Sequence, residues 1–382
     1  MHRRTLWTLY AGNLLTQVGV WFFIPLLPIF IFRRGGSPAL IGLVFAAGLL
    51  ANAVIRYPAG WAADRWGTRP VLLGAMAVWT VMFLAYLLPL PLPAFVVIRF
   101  LHGIAAGAYW PAANGLIGQL TAPGERGRAF GVMQATSMTG MLIGPGIGGF
   151  IALFNLSAVF VVSACMGVLA TIALSRLPNV RAEATLQAPI GALRITRKLV
   201  PFILLTAGTS YMIGTYDATW SLYMTYRGAN TLAVGISFVT FAIPAVLLSA
   251  RAGALGDRIG PRRLVVAALV FTGLFAALYP FVASVPWLIA LGLVEGIFTI
   301  SGGPSLIAEV SRSAPAGHQA RTQGVFQTAQ TLIIIAGALG GGALFSLSPT
   351  YSFLAITAVC LLGAATALRP AAVRSQQATE VR

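Results

Sequence analysis

The sequence predicts an all-α membrane protein of twelve transmembrane helices in two pseudo-symmetric six-helix bundles, and three observations lead there. Of its 382 residues, 58% are hydrophobic and 9% charged, with a mean hydropathy of +0.86, which is a polytopic membrane composition and not that of a soluble enzyme. Twelve apolar segments, each near the ~20 residues a bilayer-spanning helix needs, run over 5–32, 38–60, 71–90, 93–119, 129–153, 156–177, 199–224, 231–256, 264–284, 286–309, 322–347 and 350–368. The second six repeat the first at a fixed offset of 193 residues.

The basic stretch Met1–Leu6 precedes an apolar run to Phe32 that is too long for a signal-peptide core, so this run is the first span. The net charge of +17 does not indicate nucleic acid, because of where the charges fall. With the N-terminus in the cytoplasm, Arg33, Arg34 and Arg227 lie in outer links, Arg56, Arg99 and Arg251 lie within spans, and every other Lys and Arg is on the inner side. Both termini are therefore expected in the cytoplasm, with the protein in the cytoplasmic (inner or plasma) membrane. The longest polar link divides the chain into an N-terminal bundle (1–177), a cytoplasmic linker (178–198), a C-terminal bundle (199–370) and a cytoplasmic tail (371–382). Cys165 and Cys360 both sit in apolar runs, so neither a disulfide framework nor a metal cluster is expected, and no cofactor.

The repeat is explicit in the link after the second span. Gly60-Trp-Ala-Ala-Asp64-Arg65-Trp-Gly67-Thr-Arg69 matches Gly253-Ala-Leu-Gly-Asp257-Arg258-Ile-Gly260-Pro-Arg262. The same offset relates Gly103 to Gly296, Pro111 to Pro304, Arg128 to Arg321, Gly131 to Gly324 and Gln134 to Gln327. Such a duplication implies two bundles about a pseudo-twofold along the membrane normal. Gly67 and Gly260 permit a tight turn, and Asp64 and Asp257 can accept hydrogen bonds from Arg groups or helix N-termini. Gly144-Pro145 corresponds to Gly337-Ala338, so the second half keeps a small residue but loses the proline.

The fifth span carries the densest glycine pattern, GVMQATSMTGMLIGPGIGGF. Gly140, Gly144 and Gly148 recur every fourth residue and share one helix face, which in lipid lets a second helix approach closely; Pro145 adds an expected kink. Gly144, Gly146 and Gly149 also satisfy G-x-G-x-x-G, but a dinucleotide site needs that pattern at a strand-to-helix turn, not inside an apolar span. The full spacing of Gly131, Gly140, Gly144, Pro145, Gly148 and Gly149 resembles the fifth-helix signature of drug:proton antiporters of the major facilitator superfamily. The duplicated Gly60–Arg69 element resembles that superfamily's signature loop. The resemblance implies the major facilitator fold and a cytoplasmic latch built on Gly60, Asp64, Arg65, Gly67, Arg69, Asp257 and Arg258, held when the protein opens outward.

Gly19 followed by Pro25-Leu-Leu-Pro28 in the first span also resembles an antiporter signature, although two prolines can simply break the helix. Arg99-Phe-Leu-His102-Gly103 in the fourth span resembles the family element R-x-x-Q-G with His102 in the Gln position, which implies that Arg99 influences proton release from a nearby acid. Its bland reading is an Arg that snorkels to the surface. Among the acids, Asp217 and Glu295 alone lie within spans away from their inner ends. Asp217 sits in an aromatic stretch that an interface belt would also explain. Glu295 is near mid-span and stands 193 residues after His102, so the two are expected to face similar surroundings from opposite walls. Desolvation penalises the charged form of either side chain, and intramembrane acids are by default functional.

The expected function is proton-coupled efflux of small amphipathic or cationic compounds by alternating access, with Glu295 the leading proton carrier, Asp217 the reserve and His102 and Arg99 supporting. The cavity should be lined mainly by spans 1, 4, 7 and 10, plus parts of 2, 5, 8 and 11, with Asn13, Gln17, Trp110, Gln134, Tyr216, Trp220 and Gln327 as candidates. The partners are a small-molecule substrate, protons and the bilayer, with no nucleic acid, and the protein is expected to be a monomer. A superfamily symporter or a specific sugar or metabolite exporter is the nearest alternative; a non-transporting sensor or scaffold is the alternative of another class. H-E-x-x-H, G-x-S-x-G and a P-loop are all missing, so the chain is not expected to be an enzyme.

Overall fold

The computed structural model describes residues 2–122, 124–181, 199–313 and 319–368. Most of the expected linker, the whole expected tail and the side chain of Asp257 lie outside the described residues. Seven helices make the first half: α1 (His2–Phe23), α2 (Leu27–Arg33), α3 (Pro38–Trp66), α4 (Thr68–Ala85), α5 (Ala94–Leu120), α6 (Arg126–Phe154) and α7 (Ala158–Leu174). Six make the second: α8 (Val200–Tyr226), α9 (Thr231–Ile259), α10 (Pro261–Leu278), α11 (Val285–Ser313), α12 (Gln319–Leu347) and α13 (Pro349–Leu368), with a 3-10 turn Tyr279–Phe281 after α10. No strand occurs among the described residues.

The first span expected at 5–32 is two helices. Pro25 lies in the turn between α1 and α2, and Pro28 occupies the first turn of α2, where no N–H is needed. By contrast α3, α5, α6 and α9 run unbroken through Pro58, Pro111, Pro145 and Pro244. Neighbouring helices make that tolerable in a membrane. The signature loop contracts to one residue, since Gly67 alone separates α3 from α4, at φ 100°, and Gly260 repeats it at φ 93°. Only glycine adopts such a φ at no steric cost. The chain after α7 ties the first turn down: Asn179 Nδ2 donates to Trp66 O at 3.2 Å and Thr68 N donates to Val180 O at 3.0 Å.

Among the described residues, nine helical segments are long and apolar enough to cross a bilayer, and Ala158–Leu174 and Val285–Thr299 are shorter apolar helices. The 27-residue α8 is in neither group. Its length suffices, but Thr, Ser and Tyr residues and Asp217 interrupt its apolar run, as they must in a helix that faces a cavity instead of lipid.

Within the first half, α3 packs on α5, α1 on α6 and α7, and α4 on α5 and α7. Within the second, α9 packs on α11, α8 on α12 and α13, and α10 on α11 and α13. The halves meet chiefly through α3 with α12 and α6 with α9. These two contacts are copies of each other under the sequence offset. A Cβ on Gly42 would strike Ala338 O, and one on Gly235 would strike Pro145 O. A Cβ on Gly149 would lie 2.5 Å from Thr231 O, and one on Gly342 would lie 2.6 Å from Pro38 O. Hydrogen bonds between the halves reinforce this end: Thr231 Oγ1 to Gly149 O at 3.0 Å, Ala39 N to Ser346 Oγ at 3.1 Å, and Ser221 Oγ to Pro25 O. The molecule is sealed at the end that carries the α2–α3 and α8–α9 links, the end expected to face outward.

Candidate functional site

Below the seal lies a cavity of about 650 Å³, large enough for a drug-sized compound. It belongs mainly to the second half. Residues Leu205 to Trp220 of α8 form one wall, α9, α10, α11 and α12 supply most of the rest, and the first half adds Trp21, Arg56, Met138 and Met141. Of the seven cavity candidates, Tyr216, Trp220 and Gln327 line it.

Glu295 of α11 is fully buried in this wall. Gly296 beside it brings α11 onto α9, so close that a Cβ would lie 2.5 Å from Phe241 O. Both carboxyl oxygens are satisfied by phenols: Tyr216 OH donates to Oε1 at 3.2 Å and Tyr279 OH to Oε2 at 2.6 Å. The tyrosines are held in turn by Trp220, whose ring meets Tyr279 edge-on at 4.9 Å and whose Nε1 donates to Ser237 Oγ at 2.9 Å. Two hydroxyl donors on the ionised form of the carboxyl would make a charge-assisted pair, stronger than the same bonds to its neutral form. Farther along the cavity, Gln330 Nε2 donates to Thr206 Oγ1 at 2.9 Å.

His102 occupies the equivalent place in the first half but does not line the cavity, contrary to expectation. It is 1% exposed, stacked on Phe23 at 5.1 Å and edge-on to Phe83 at 4.9 Å and Trp79 at 5.4 Å, with Nδ1 unpartnered among the described residues. The offset that pairs His102 with Glu295 also pairs Phe23 with Tyr216, Tyr86 with Tyr279 and Phe160 with Phe353. The boxes are therefore equivalent in position and different in chemistry: Phe23 offers no hydroxyl where Tyr216 offers one.

Asp217 is half-buried and lines the cavity, so it is not a belt residue. Arg99 stays inside, half-buried, with its guanidinium over the Phe45 ring at 5.2 Å and the Phe23 ring at 5.5 Å. It does not line the cavity. No residue of α5 lines the cavity, although the fourth span was expected to.

Four candidates are corrected. Asn13 is a core residue at 0% exposure: Nδ2 donates to Thr136 Oγ1 at 2.8 Å and Ser137 Oγ at 2.9 Å, and Oδ1 accepts from Tyr109 OH at 3.2 Å. Gln17 is buried between α1 and α6, with its Cβ 2.6 Å from where a Gly140 Cβ would stand. Trp110 is half-buried and edge-on to Tyr109 at 5.8 Å, and Gln134 is exposed outside the cavity. Polar groups in a span satisfied each other between helices, which a single sequence does not distinguish from facing water.

The glycine signature divides by partner. Gly140, Gly144 and Gly148 press on Gln17, Trp21 and Phe22 of α1; at Gly144 a Cβ would be 2.5 Å from Trp21 Cβ. Gly149 and the carbonyl of Pro145 instead face α9 in the other half. Gly131 has nothing within 4 Å of an added Cβ, so the close-packing reading does not extend to it. On the opposite end, Asp64 is exposed, with no hydrogen bond or ion pair among the described residues, and the Arg65 guanidinium lies over Trp61 at 5.3 Å. Gly60 meets only Pro111, at 3.8 Å, and no polar partner of Arg69 or Arg258 is seen among the described residues. The expected contact of Asp64 with a cation is not made in this state, which is sealed at the opposite end.

The sequence profile of the Major Facilitator Superfamily matches residues 9–224 and again 202–381. The chain is 25% identical to multidrug resistance protein 2 of Bacillus subtilis over 384 residues, covering 94% of each. It is 28% identical to multidrug resistance protein MdtG of Citrobacter koseri, covering 80% of this chain and 79% of that one. Among solved structures it is similar to the nucleoside transporter NupG, with TM-score 0.81 and 13% identity over 95% of this chain and 97% of that one. A bacterial homologue of the human lysosomal transporter Spinster, inward-facing and occupied, gives TM-score 0.78 and 15% identity over 96% of each chain. At these identities the two structures speak for the fold alone.

Proposed function

We propose that this chain, which belongs to the major facilitator superfamily, exports small amphipathic or cationic compounds in exchange for protons. It is an integral membrane transporter, and relatives spanning nearly its whole length are named for multidrug resistance. The observation that carries the proton-coupled reading is Glu295: a fully buried carboxyl in the cavity wall, bridged by Tyr216 and Tyr279, which also line the cavity. Adding a proton removes one acceptor site and a full charge from that bridge. Both phenol hydrogen bonds weaken when the carboxyl becomes neutral, which couples proton binding to the wall that the substrate meets. Such a group drives alternation only if its proton affinity differs between outward and inward states.

In this scheme residues 1–177 and 199–370 are two six-helix bundles, twelve spans in all, that rock about the cavity as a monomer in the cytoplasmic membrane. Both termini are cytoplasmic, and the unpaired Asp64 engages a cation only when the inner ends close. Asp217, which lines the same cavity, is the second proton-accepting group. The test is Glu295→Gln in proteoliposomes, since Gln mimics the neutral acid. Loss of substrate-driven proton flux with substrate binding retained is the expected result; full proton-driven export would move the role to Asp217.

A further inference from the structure

The cavity contains a cation that efflux of purely cationic compounds does not call for. Arg56 of α3 lines it, with Nε donating to Asn52 Oδ1 at 3.0 Å. That bond fixes the side chain and leaves both terminal nitrogens of the guanidinium without a protein partner among the described residues. Among the described residues Arg56 is the one cation that lines the cavity, and the acids there are Asp217 and Glu295. The offset position is Ser249, so the guanidinium has no counterpart at the equivalent place in the second half.

Arginine stays charged in any protein surround, and its planar fork matches a carboxylate or phosphate. Arg56 is exposed, so water meets its guanidinium in the open cavity and an anionic group of a substrate would take that water's place. The guanidinium would also repel a compound that carried only positive charge. The placement adds a second constraint. Counting from the sealed end, Arg56 is eighteen residues along α3, whereas Asp217 is nine along α8 and Glu295 ten along α11. At 1.5 Å per residue this separates the cation from the acids by about 12–14 Å along the helix axes.

We infer that Arg56 is an anion-recognising residue of the substrate cavity, which therefore favours amphipathic zwitterions whose carboxylate meets Arg56 while their amine end meets the acidic end at Asp217 and Glu295. This deepens the export reading and rests on it.

The test uses two dyes that differ in one group. Rhodamine 123 is a cationic methyl ester, and rhodamine 110 is the same ring system with a free carboxylate. Each is titrated with the purified full-length protein in detergent at pH 7, read by fluorescence anisotropy, for wild type, Arg56→Gln and Arg56→Lys. Wild type should bind both dyes. Arg56→Gln should lose about 10-fold or more in affinity for rhodamine 110, the lower range for a hydrogen bond to a charged group, and keep its affinity for rhodamine 123. Arg56→Lys, which keeps the charge, should retain most of the preference and serves as the folded control. Equal losses for both dyes in Arg56→Gln, or no change for either, overturn the assignment while leaving drug binding intact. Wild type that binds neither dye overturns the export reading and the assignment together.

Discussion

Changing Gly235 to Ala adds one methyl where α9 lies on α6, and the methyl has nowhere to go. It would strike Pro145 O and stand 2.9 Å from Pro145 C and 3.3 Å from Gly149 Cα, all backbone atoms that cannot rotate aside. The helices must separate, and overpacking of this kind costs about 1–3 kcal/mol. The helix-propensity gain of Gly→Ala applies to every state in which α9 is helical and cancels. The penalty therefore falls on the outward-sealed state alone and shifts the outward-open to outward-sealed ratio by roughly 5- to 150-fold. Spin labels at Arg33→Cys and Asn230→Cys, flanking the seal, read this by electron double resonance. Cys165 is exposed and is replaced, and the buried Cys360 is kept. A longer-distance population should grow in Gly235→Ala and equally in its twin Gly42→Ala. Gly118→Ala, whose methyl would meet nothing within 4 Å, is the control. If Gly235→Ala gives the same distances as Gly118→Ala, the seal does not depend on backbone contact and the argument fails.

Asn13→Leu should lower the thermal midpoint, since it takes the acceptor from the buried Tyr109 hydroxyl at about 1–3 kcal/mol and removes the donor that ties α1 to Thr136 and Ser137, without altering dye affinity. Reduced affinity at unchanged stability would return Asn13 to the cavity. Asp64→Asn should leave the sealed state's stability untouched, because Asp64 has no partner among the described residues there, and should deplete the outward-open population in the same labelled pair. An unchanged population would falsify the latch. Gly144→Leu should insert and express but not export, because its side chain must enter the space of Trp21; normal export would remove close packing as the reason for that glycine.

How far the sequence could be read depended on which signal it used. Span positions were legible because hydropathy in a membrane protein reports length directly: α9 begins at Thr231 and α12 ends at Leu347, where the apolar segments begin and end. The repeat was legible too, and it reached further than the loop motif. Applied to Phe23 and Tyr86, the same offset leads to Tyr216 and Tyr279, the two phenols that hold Glu295. Facing direction was not legible. Lipid and protein core are both apolar, so a span has no polar stripe to orient it, and Asn13 and Tyr216 look alike in sequence although one is locked between α1 and α6 and the other lines the cavity. Arg56 was visible only as a charge within a span, because nothing local distinguishes an Arg beside a cavity from one that snorkels to the surface.

The glycine contacts that close the outer end have a further implication. Gly42 meets Ala338 as Gly235 meets Pro145, and Gly342 meets Pro38 as Gly149 meets Thr231. This is an isologous interface in the sense used for twofold dimers: one patch, used twice, complementary to itself. Each half carries the whole of what it needs to recognise its copy, as a homodimer of half-length chains would. Joining the two units in one chain removes the need for them to stay identical. The boundary between them has kept its symmetry while the interior has lost it, with imidazole on one side and a carboxyl on the other. A dimer of identical subunits carries any acidic residue twice, whereas the fused chain holds Glu295 once, opposite an imidazole and not opposite its own copy.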